Sequence, residues 1–463
     1  MGFVFDTAPE TRHDCIALCE HNPKLSFGGI APKENNHKFI IGENYDALKN
    51  LVCTYTRNGE GLIDVIYIDP PYNTEHAKKD GNDYKEEVQA EKFIYRDKFT
   101  RTGWLNMMRE RLVLARKLLS PIGVIFISID DNEQAYLKVL CDEIFGENNF
   151  VANIIWKRKR GRDNSARWFS KAHEYSLVYA KNKECFKVGY LELDETTRKA
   201  YKNQDNDPRG DYRILACWAR GSQGGVSYDF TTKEGQFFTK RLWLCSKEKL
   251  EELDIEDKLI IHGDNIYRKM FIYENKGKIP ETLWDDVSNG ANASDEIKKI
   301  FGNIVFETSK PTPYIKRMIK IASSKDSIIL DFFAGSGTTG QAVMELNEED
   351  GGNRRCILVT NNENGIAQNV AYERLYRVAM GNGTKGEKFQ WQYSKEKPCL
   401  TNNYWDVFEI RQYELKIDDY EKAQELIKKA ENEFKLLNPS YEHKEFDIYN
   451  QLASLRPFRT EDK

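Results

Sequence analysis

Along this chain, short continuous apolar runs alternate with stretches in which apolar residues recur every three or four positions. Leu62, Ile63, Val65, Ile66 and Ile68 form one run, and Val124 to Asp130 (VIFISID) forms another. Unbroken runs of that length suit strands covered on both faces. Between them Trp104, Leu105, Met108, Leu112, Ala115 and Leu119 repeat at helical spacing, with Pro121-Ile122-Gly123 expected to end the helix. A short strand at Phe39–Ile41 and a helix from Asn44, capped by Asn44 or Asp46, come before; an amphipathic helix at Glu133 to Phe145 comes after. Strand, helix, strand, helix in this rhythm predicts a parallel sheet, hence a doubly wound α/β fold.

The rhythm breaks over residues 157–302, where short β-like pieces (Gly221 to Gly225, Phe237 to Leu244, Lys258 to His262) stand among Gly and Asp turns. It resumes with a helix at Ile315–Ala322, a strand at Ser327–Leu330, a helix at Gln341–Leu346, a strand at Cys356–Thr360 and a helix at Ile366–Val378. The predicted organisation is an irregular extension (1–36), half of an α/β domain (37–156), an inserted domain (157–302), the second half (303–382) and a helical extension (383–463). In that extension Tyr420, Ala423, Leu426, Ile427, Ala430, Phe434 and Leu437 make one stripe, with Asp418 as cap, expected to pack on its own protein. The polar stretch from Thr74 to Arg101 reads as a long loop, either solvated or a lid.

Composition narrows the class. Hydrophobic residues at 40% and charged residues at 31% describe a globular chain. No run approaches the ~18 apolar residues of a membrane span, and the amino terminus lacks a signal layout, so a cytoplasmic protein is expected. Nine scattered cysteines do not make a disulfide framework. His13, Cys15, Cys19 and His21 crowd together without the separation between ligand pairs that structural zinc needs, so no metal is expected. The net charge of −4 excludes an all-over basic surface but not a basic patch. Lys157, Arg158, Lys159, Arg160, Arg162 and Arg167, interleaved with Trp168 and Phe169, form such a patch and suit phosphate and base contact together.

Two strand ends carry candidate chemistry. The first run stops at Asp69-Pro70-Pro71-Tyr72. Prolines cannot donate to a sheet ladder, so the acid and the tyrosine project from the carboxyl end, where open α/β sheets bind ligands. The second end, Asp331 to Gly340 (DFFAGSGTTG), follows a strand and opens a helix in the pattern G-x-G-x-x-G. Alone it fits NAD, FAD or S-adenosyl-L-methionine. Its glycines let the backbone approach a ligand, and the helix start favours a negative group. Glu363, ending the next strand, is placed for a ribose diol. No phosphate-binding G-x-x-x-x-G-K-[ST] loop is present. Together the ends suit methylation of a nucleobase amine. The Asp69 carboxylate and the Pro70 carbonyl would accept its hydrogens, Tyr72 would offer a π face, and the methyl would come from a sulfonium. A base in a duplex must be turned out to reach such a pocket.

The chain resembles the β group of DNA amino methyltransferases, and within it the modification subunits of Type III restriction-modification systems. The resemblance rests on IDPPYNT (68–74), WLNMMRERL (104–112), GVIFISIDDNE (123–133), NIIWKRK (153–159), HEYSLVYAKN (173–182), KPTPYIKRM (310–318), LDFFAGSGTTG (330–340) and LNEEDGGNRRCILVTNNEN (346–364). It implies an S-adenosylmethionine-dependent methyltransferase fold with permuted motif order and a target-recognition domain at 157–302. It implies that Asp69, Pro70, Pro71 and Tyr72 hold an adenine, with the acid at 69 favouring adenine N6 over cytosine N4. Phe333, Gly335, Gly337 and Thr338 would hold S-adenosyl-L-methionine, with Asp331 in the same loop, Lys310 and Pro311 along its other side and Glu363 on the ribose. Trp156 is a candidate contact for the flipped base, a core position being equally open. The resemblance implies double-stranded DNA as partner and, for a Type III system, an ATP-dependent restriction subunit; whether the chain pairs with a second copy as a homodimer stays open. Cytosine-N4 methylation, a nicotinamide-dependent oxidoreductase and an inactive DNA-binding module on the same scaffold stay as alternatives.

Overall fold

The computed structural model describes residues 14–28, 35–73, 101–306, 308–416, 418–443 and 447–455. The long loop expected from Thr74 to Arg101, solvated or a lid, lies outside them except for Arg101, which begins a helix. The chain forms two compact units, one comprising everything up to Gly189 and from Glu281 onward, the other Tyr190–Pro280.

The first unit is built on a ten-stranded sheet. Its order is Cys15–His21, Trp405–Glu414, His37–Ile41, Arg355–Thr360, Ile328–Asp331, Ile63–Ile68, Leu119–Ile129, His173–Ala180, Phe150–Lys157 and Leu283–Trp284. The six strands from Trp405–Glu414 to Leu119–Ile129 run parallel. Antiparallel pairings join Cys15–His21 on one side and His173–Ala180 on the other. Every residue of Ile328–Asp331 is buried, as the unbroken apolar runs require. Helices Asn44–Thr54, Arg101–Leu118 and Gln134–Phe145 bring Leu48, Leu51, Trp104, Met108, Leu112 and Leu137 into one core cluster with Ile66, Ile68, Ile125 and Ile127.

The elements differ from the sequence reading where tertiary partners decide. The helix at Asn44 is capped by Glu43, which accepts from the Tyr45 amide at 3.5 Å. Asn44 instead donates to the Phe332 carbonyl at 2.8 Å, across to the glycine-bearing turn. Pro121 does not begin a loop. The strand starts at Leu119 and slips register between the Ile63/Leu119 and Val65/Val124 pairs, leaving Pro121 and Ile122 exposed in the slip. An irregularity of this kind tolerates a proline.

The two extensions are not merely irregular and helical. Cys15–His21 pairs antiparallel with Trp405–Glu414, and together they widen the sheet beside His37–Ile41. Helix Tyr420–Leu437, capped by Asp419, buries Ala423, Leu426, Ala430 and Phe434 with Ile16 and Leu18, whereas Tyr420 is 75% exposed. Cys15 and Cys19 are buried in their strand, and the His21 ring bonds the Ser26 hydroxyl at 3.1 Å.

The separate unit is also smaller than the predicted insertion. Phe150–Lys157 and His173–Ala180 form an antiparallel pair inside the main sheet, and Leu283–Trp284 returns beside Ile155 and Trp156. Residues 157–189 and 281–302 therefore belong with the sheet. Tyr190–Pro280 carries a two-stranded ribbon, Val226–Thr231 with Phe237–Trp243, and a three-stranded sheet of Leu259–His262, Asn265–Phe271 and Tyr212–Ala216. Its own small core gathers Cys217, Phe230, Phe238, Trp243, Leu250 and Ile266.

Candidate active site

Strands Ile63–Ile68 and Ile328–Asp331 lie side by side, Val65 opposite Ile329 and Ile66 opposite Leu330. From the first the chain proceeds to Leu119–Ile129 on one side; from the second it proceeds to Arg355–Thr360 on the other. The connections thus diverge between these two strands. Such a divergence opens a crevice beyond the carboxyl ends, the usual ligand position in α/β sheets. Asp69 and the Phe333–Gly337 turn follow the two strands that flank it.

At the first end the Lys310 ammonium lies 2.7 Å from each oxygen of Asp69 and 3.5 Å from Glu174. The Tyr72 hydroxyl is 2.9 Å from Asp69 and 3.1 Å from Glu174, and its single proton serves one carboxylate at a time. Lys310 also sits 4.9 Å from the centre of the Tyr72 ring. Arg158 completes the cluster at 2.9 Å from Glu174. Burial lifts the Asp69 carboxyl above the ordinary aspartate range, and Lys310 pulls it partly back. Burial works against the charge on Lys310, but Asp69 and Glu174 outweigh it and hold the ammonium above its usual value. Tyr72 is pushed well above the normal phenol range by burial, then by the two carboxylates, so it stays a neutral donor. Pro71 gives its carbonyl to the Trp104 indole at 2.8 Å, and Asn73 donates to Glu133 at 2.7 Å, fixing the segment from behind.

At the second end Asp331 is committed to the turn. One oxygen accepts from the Phe333 amide at 3.0 Å, the other from the Thr339 hydroxyl at 2.5 Å. Burial raises its carboxyl to about 7. Gly335 and Gly337 take φ of +50° and +77°, the left-handed region open to glycine. Gly337 precedes helix Thr338–Asp350, which no side chain caps, so the helix start presents its amides as an anion site would. Gly340 has a different job: a Cβ there would stand 2.5 Å from Leu375 and 2.9 Å from Leu358, so its bareness lets the helix sit on the sheet.

Behind this turn lies a network absent from the sequence reading. The fully buried Arg374 guanidinium bonds Thr338 at 2.7 Å, Ser336 at 3.2 Å, Ser309 at 3.3 Å, Gln341 at 2.8 Å and Glu296 at 3.1 Å. It locks the turn, and it shows Thr338 with its hydroxyl directed inward.

The candidate residues sort accordingly. Asp69, Tyr72 and Lys310 meet, with the Lys310 ammonium on the carboxylate itself. Pro311 caps helix Thr312–Ala322, Phe333 is buried against Phe332, and Glu363 is half-buried beside Asn361 at 3.5 Å. Trp156 is a core residue. It is 1% exposed, stacked on Tyr314 at 4.4 Å and bonded to the Ser288 carbonyl at 3.1 Å, so a flipped base cannot reach it. Lys157, Arg158, Lys159, Arg160, Arg162 and Arg167 are exposed on or beside the loop joining Phe150–Lys157 to His173–Ala180. Glu174 is a further site residue, and an acid at a buried position of an apolar strand (HEYSLVYA) is its signal in the sequence. Among the described residues no cluster of His, Cys, Asp or Glu could hold a metal, and no helix is long and apolar enough to cross a membrane.

A family model described as DNA methylase matches residues 63–373, both strand ends included. The chain belongs to the DNA methylase family. A second model, of an uncharacterised conserved protein, matches residues 1–60. Among similar DNA methylases, the Type III restriction-modification enzyme StyLTI Mod subunit of Salmonella typhimurium is 40% identical over 77% of this chain and 59% of its own length. The EcoPI Mod subunit of Escherichia phage P1 is 32% identical over 74% and 60%. This methylase chain therefore spans about three fifths of those two Mod subunits. The Type II methyltransferase M.KpnI of Klebsiella pneumoniae is 34% identical over 75% of this chain and 86% of its own. Solved DNA methylases superpose loosely: the M1.HpyAVI–SAM complex gives 16% identity and a TM-score of 0.37 over 73% of this chain and 98% of that one.

Proposed function

We propose that this chain transfers a methyl group from S-adenosyl-L-methionine to the N6 amino group of an adenine turned out of double-stranded DNA, as the modification component of a Type III-like system. The observation that carries the reading is the Asp69 carboxylate at the end of the strand adjacent to the glycine turn, with Tyr72 and Lys310 bonded to it.

The residues at the second end fit the cofactor. The bare Gly335–Gly337 turn and the uncapped helix start suit a carboxylate-bearing ligand, and Glu363 suits a ribose diol. The cofactor supplies an activated methyl on a sulfonium centre. The protein supplies acceptors and position. Asp69 takes a hydrogen bond from the base amine, concentrating the nitrogen lone pair toward the donor side, and Tyr72 holds the ring. For the amine to reach Asp69, Lys310 gives up part of its grip. Glu174 lies 3.5 Å away, ready to keep the ammonium paired. The exposed cations of residues 157–171 contact phosphates, and Tyr190–Pro280 is the candidate target reader. A restriction subunit partner is assigned from the Mod relatives alone.

The test is methyl incorporation from labelled S-adenosyl-L-methionine into DNA, followed by nucleoside analysis and sequencing of the modified sites. N6-methyladenine at one short sequence is expected. N4-methylcytosine would move the substrate to the other amino base, and no incorporation would remove the activity.

A further inference from the structure

The loop between Phe150–Lys157 and His173–Ala180 carries two adjacent aromatic side chains that are almost wholly exposed: Trp168 is 80% exposed and Phe169 is 93% exposed. The loop that presents them is folded. Asp163 accepts from the Ser165 amide at 3.0 Å and its hydroxyl at 2.6 Å, the Asp163 amide donates to Ser170 at 2.7 Å, and the Lys159 amide donates to the Ala172 carbonyl at 3.1 Å. The rings therefore stand on a tied turn. The Arg167 guanidinium lies 5.0 Å from the Trp168 ring. Between positions 157 and 171 there are seven Lys or Arg and one acid, Asp163. A patch that combines this charge with flat apolar rings is complementary to a polyanion with stacked bases.

Its anchorage adds a direction. Arg158, at the root of the loop, is 2.9 Å from Glu174, and Glu174 is 3.1 Å from the Tyr72 hydroxyl, which is 2.9 Å from Asp69. The aromatic pair thus belongs to a loop tied by side-chain contacts to the carboxylate assigned to the target amine. Turning a nucleotide out of a duplex leaves a gap in the stack, and apolar wedges stabilise such openings. We propose that Trp168 and Phe169 are positioning residues that enter the duplex beside the target and fill the space the extruded base leaves. The proposal rests on the DNA methylation reading above and names the part of the surface that makes duplex DNA a substrate.

The experiment compares the full chain with W168A/F169A and W168F, using labelled methyl transfer to plasmid DNA and to the same DNA heat-denatured. Single strands need no wedge. The double variant should lose roughly 10- to 100-fold on duplex DNA, the scale of unstacking one base step, and far less on denatured strands, and W168F should hold most of the duplex rate. Duplex DNA should quench tryptophan fluorescence in the wild type and much less in W168F. A wild-type duplex rate in W168A/F169A would overturn the wedge, and so would equal losses on both DNA forms or a quench unchanged in W168F. If the wild type transfers no methyl to either DNA, the methylation reading fails and the quench alone decides the wedge. Both side chains are exposed, so unfolding midpoints should match across the three proteins.

Discussion

Replacing Lys310 by Met isolates the charge at the centre of the site. Methionine keeps an apolar stem of similar reach, so what disappears is the ammonium 2.7 Å from both Asp69 oxygens and 3.5 Å from Glu174. The lysine side chain is 10% exposed, Glu174 5% and Asp69 25%, so solvent screens the cluster only in part. A pair about 4 Å apart at an effective dielectric near 20 attracts by about 4 kcal/mol. Removing one partner of a buried pair costs ~3–5 kcal/mol. Arg158 remains on Glu174, and Asp69 can take up a proton, so a net loss of about 2–4 kcal/mol is expected at pH 8.5, toward the low end of that range. The sign with pH follows from the lysine holding the Asp69 carboxyl down against burial. Without it that carboxyl rises further. The penalty is therefore full above the variant's Asp69 value and shrinks as pH falls through it, because a neutral acid does not miss the cation. Urea midpoints of wild type and variant at pH 5.5 and 8.5 measure this, together with the acid limb of methyl transfer, which should move to higher pH in the variant. A stability difference of the same size at both pH values would refute the ion-pair account.

Three further outcomes are expected. Asp69→Asn keeps the shape but removes the charge, so methyl transfer should fall roughly 100- to 1,000-fold with DNA affinity retained; a loss below tenfold in a transfer assay would contradict the acceptor role. Gly340→Ala pushes a methyl into Leu375 and Leu358, and overpacking of this kind costs about 1–3 kcal/mol, read as a lower thermal midpoint; an unchanged midpoint would mean the helix can ride off the sheet freely. Arg160→Ala with Arg162→Ala should weaken DNA binding uniformly across sequences and reduce the salt slope by about one per charge; an unaltered slope would remove these arginines from the phosphate contact.

Elements whose signal is local were legible. The strands ending at Ile68 and Asp331 and the helix stripe of Trp104, Met108, Leu112 and Ala115 announce themselves because burial on fixed periods needs no knowledge of the partner. What stayed hidden depends on residues far away in the chain. Trp405–Glu414 carries β-forming residues (Trp405, Val407, Phe408 and Ile410), but its neighbours, Cys15–His21 and His37–Ile41, lie far off in the chain and decide its place in the sheet. The basic run at 157 reads as the start of a new domain because its charge masks the sheet strands that flank it, Phe150–Lys157 before and His173–Ala180 after. In the site, Asp69 and Tyr72 were visible through their prolines. Glu174 has a local signal, an acid in an apolar run, but its partners, like those of Arg158 and Arg374, are contacts that only the folded sheet creates.

Asp69 and Asp331 show why an unusual carboxyl is not by itself a functional one. Asp331 ends one of two neighbouring parallel strands and Asp69 directly follows the other, and burial raises both above the normal aspartate range. They differ in who donates to them. Asp331 spends one oxygen on a backbone amide and the other on Thr339, two groups of its own turn, so its burial shapes the loop. Asp69 is held by Lys310 and Tyr72, side chains with a second carboxylate within reach, and such partners can be displaced without breaking the fold. A site that must receive an amine needs an acceptor whose present donors have somewhere else to go. Glu174 provides that place, which makes the buried acid on the hairpin strand as much a part of the site as the one that follows the Ile63–Ile68 strand.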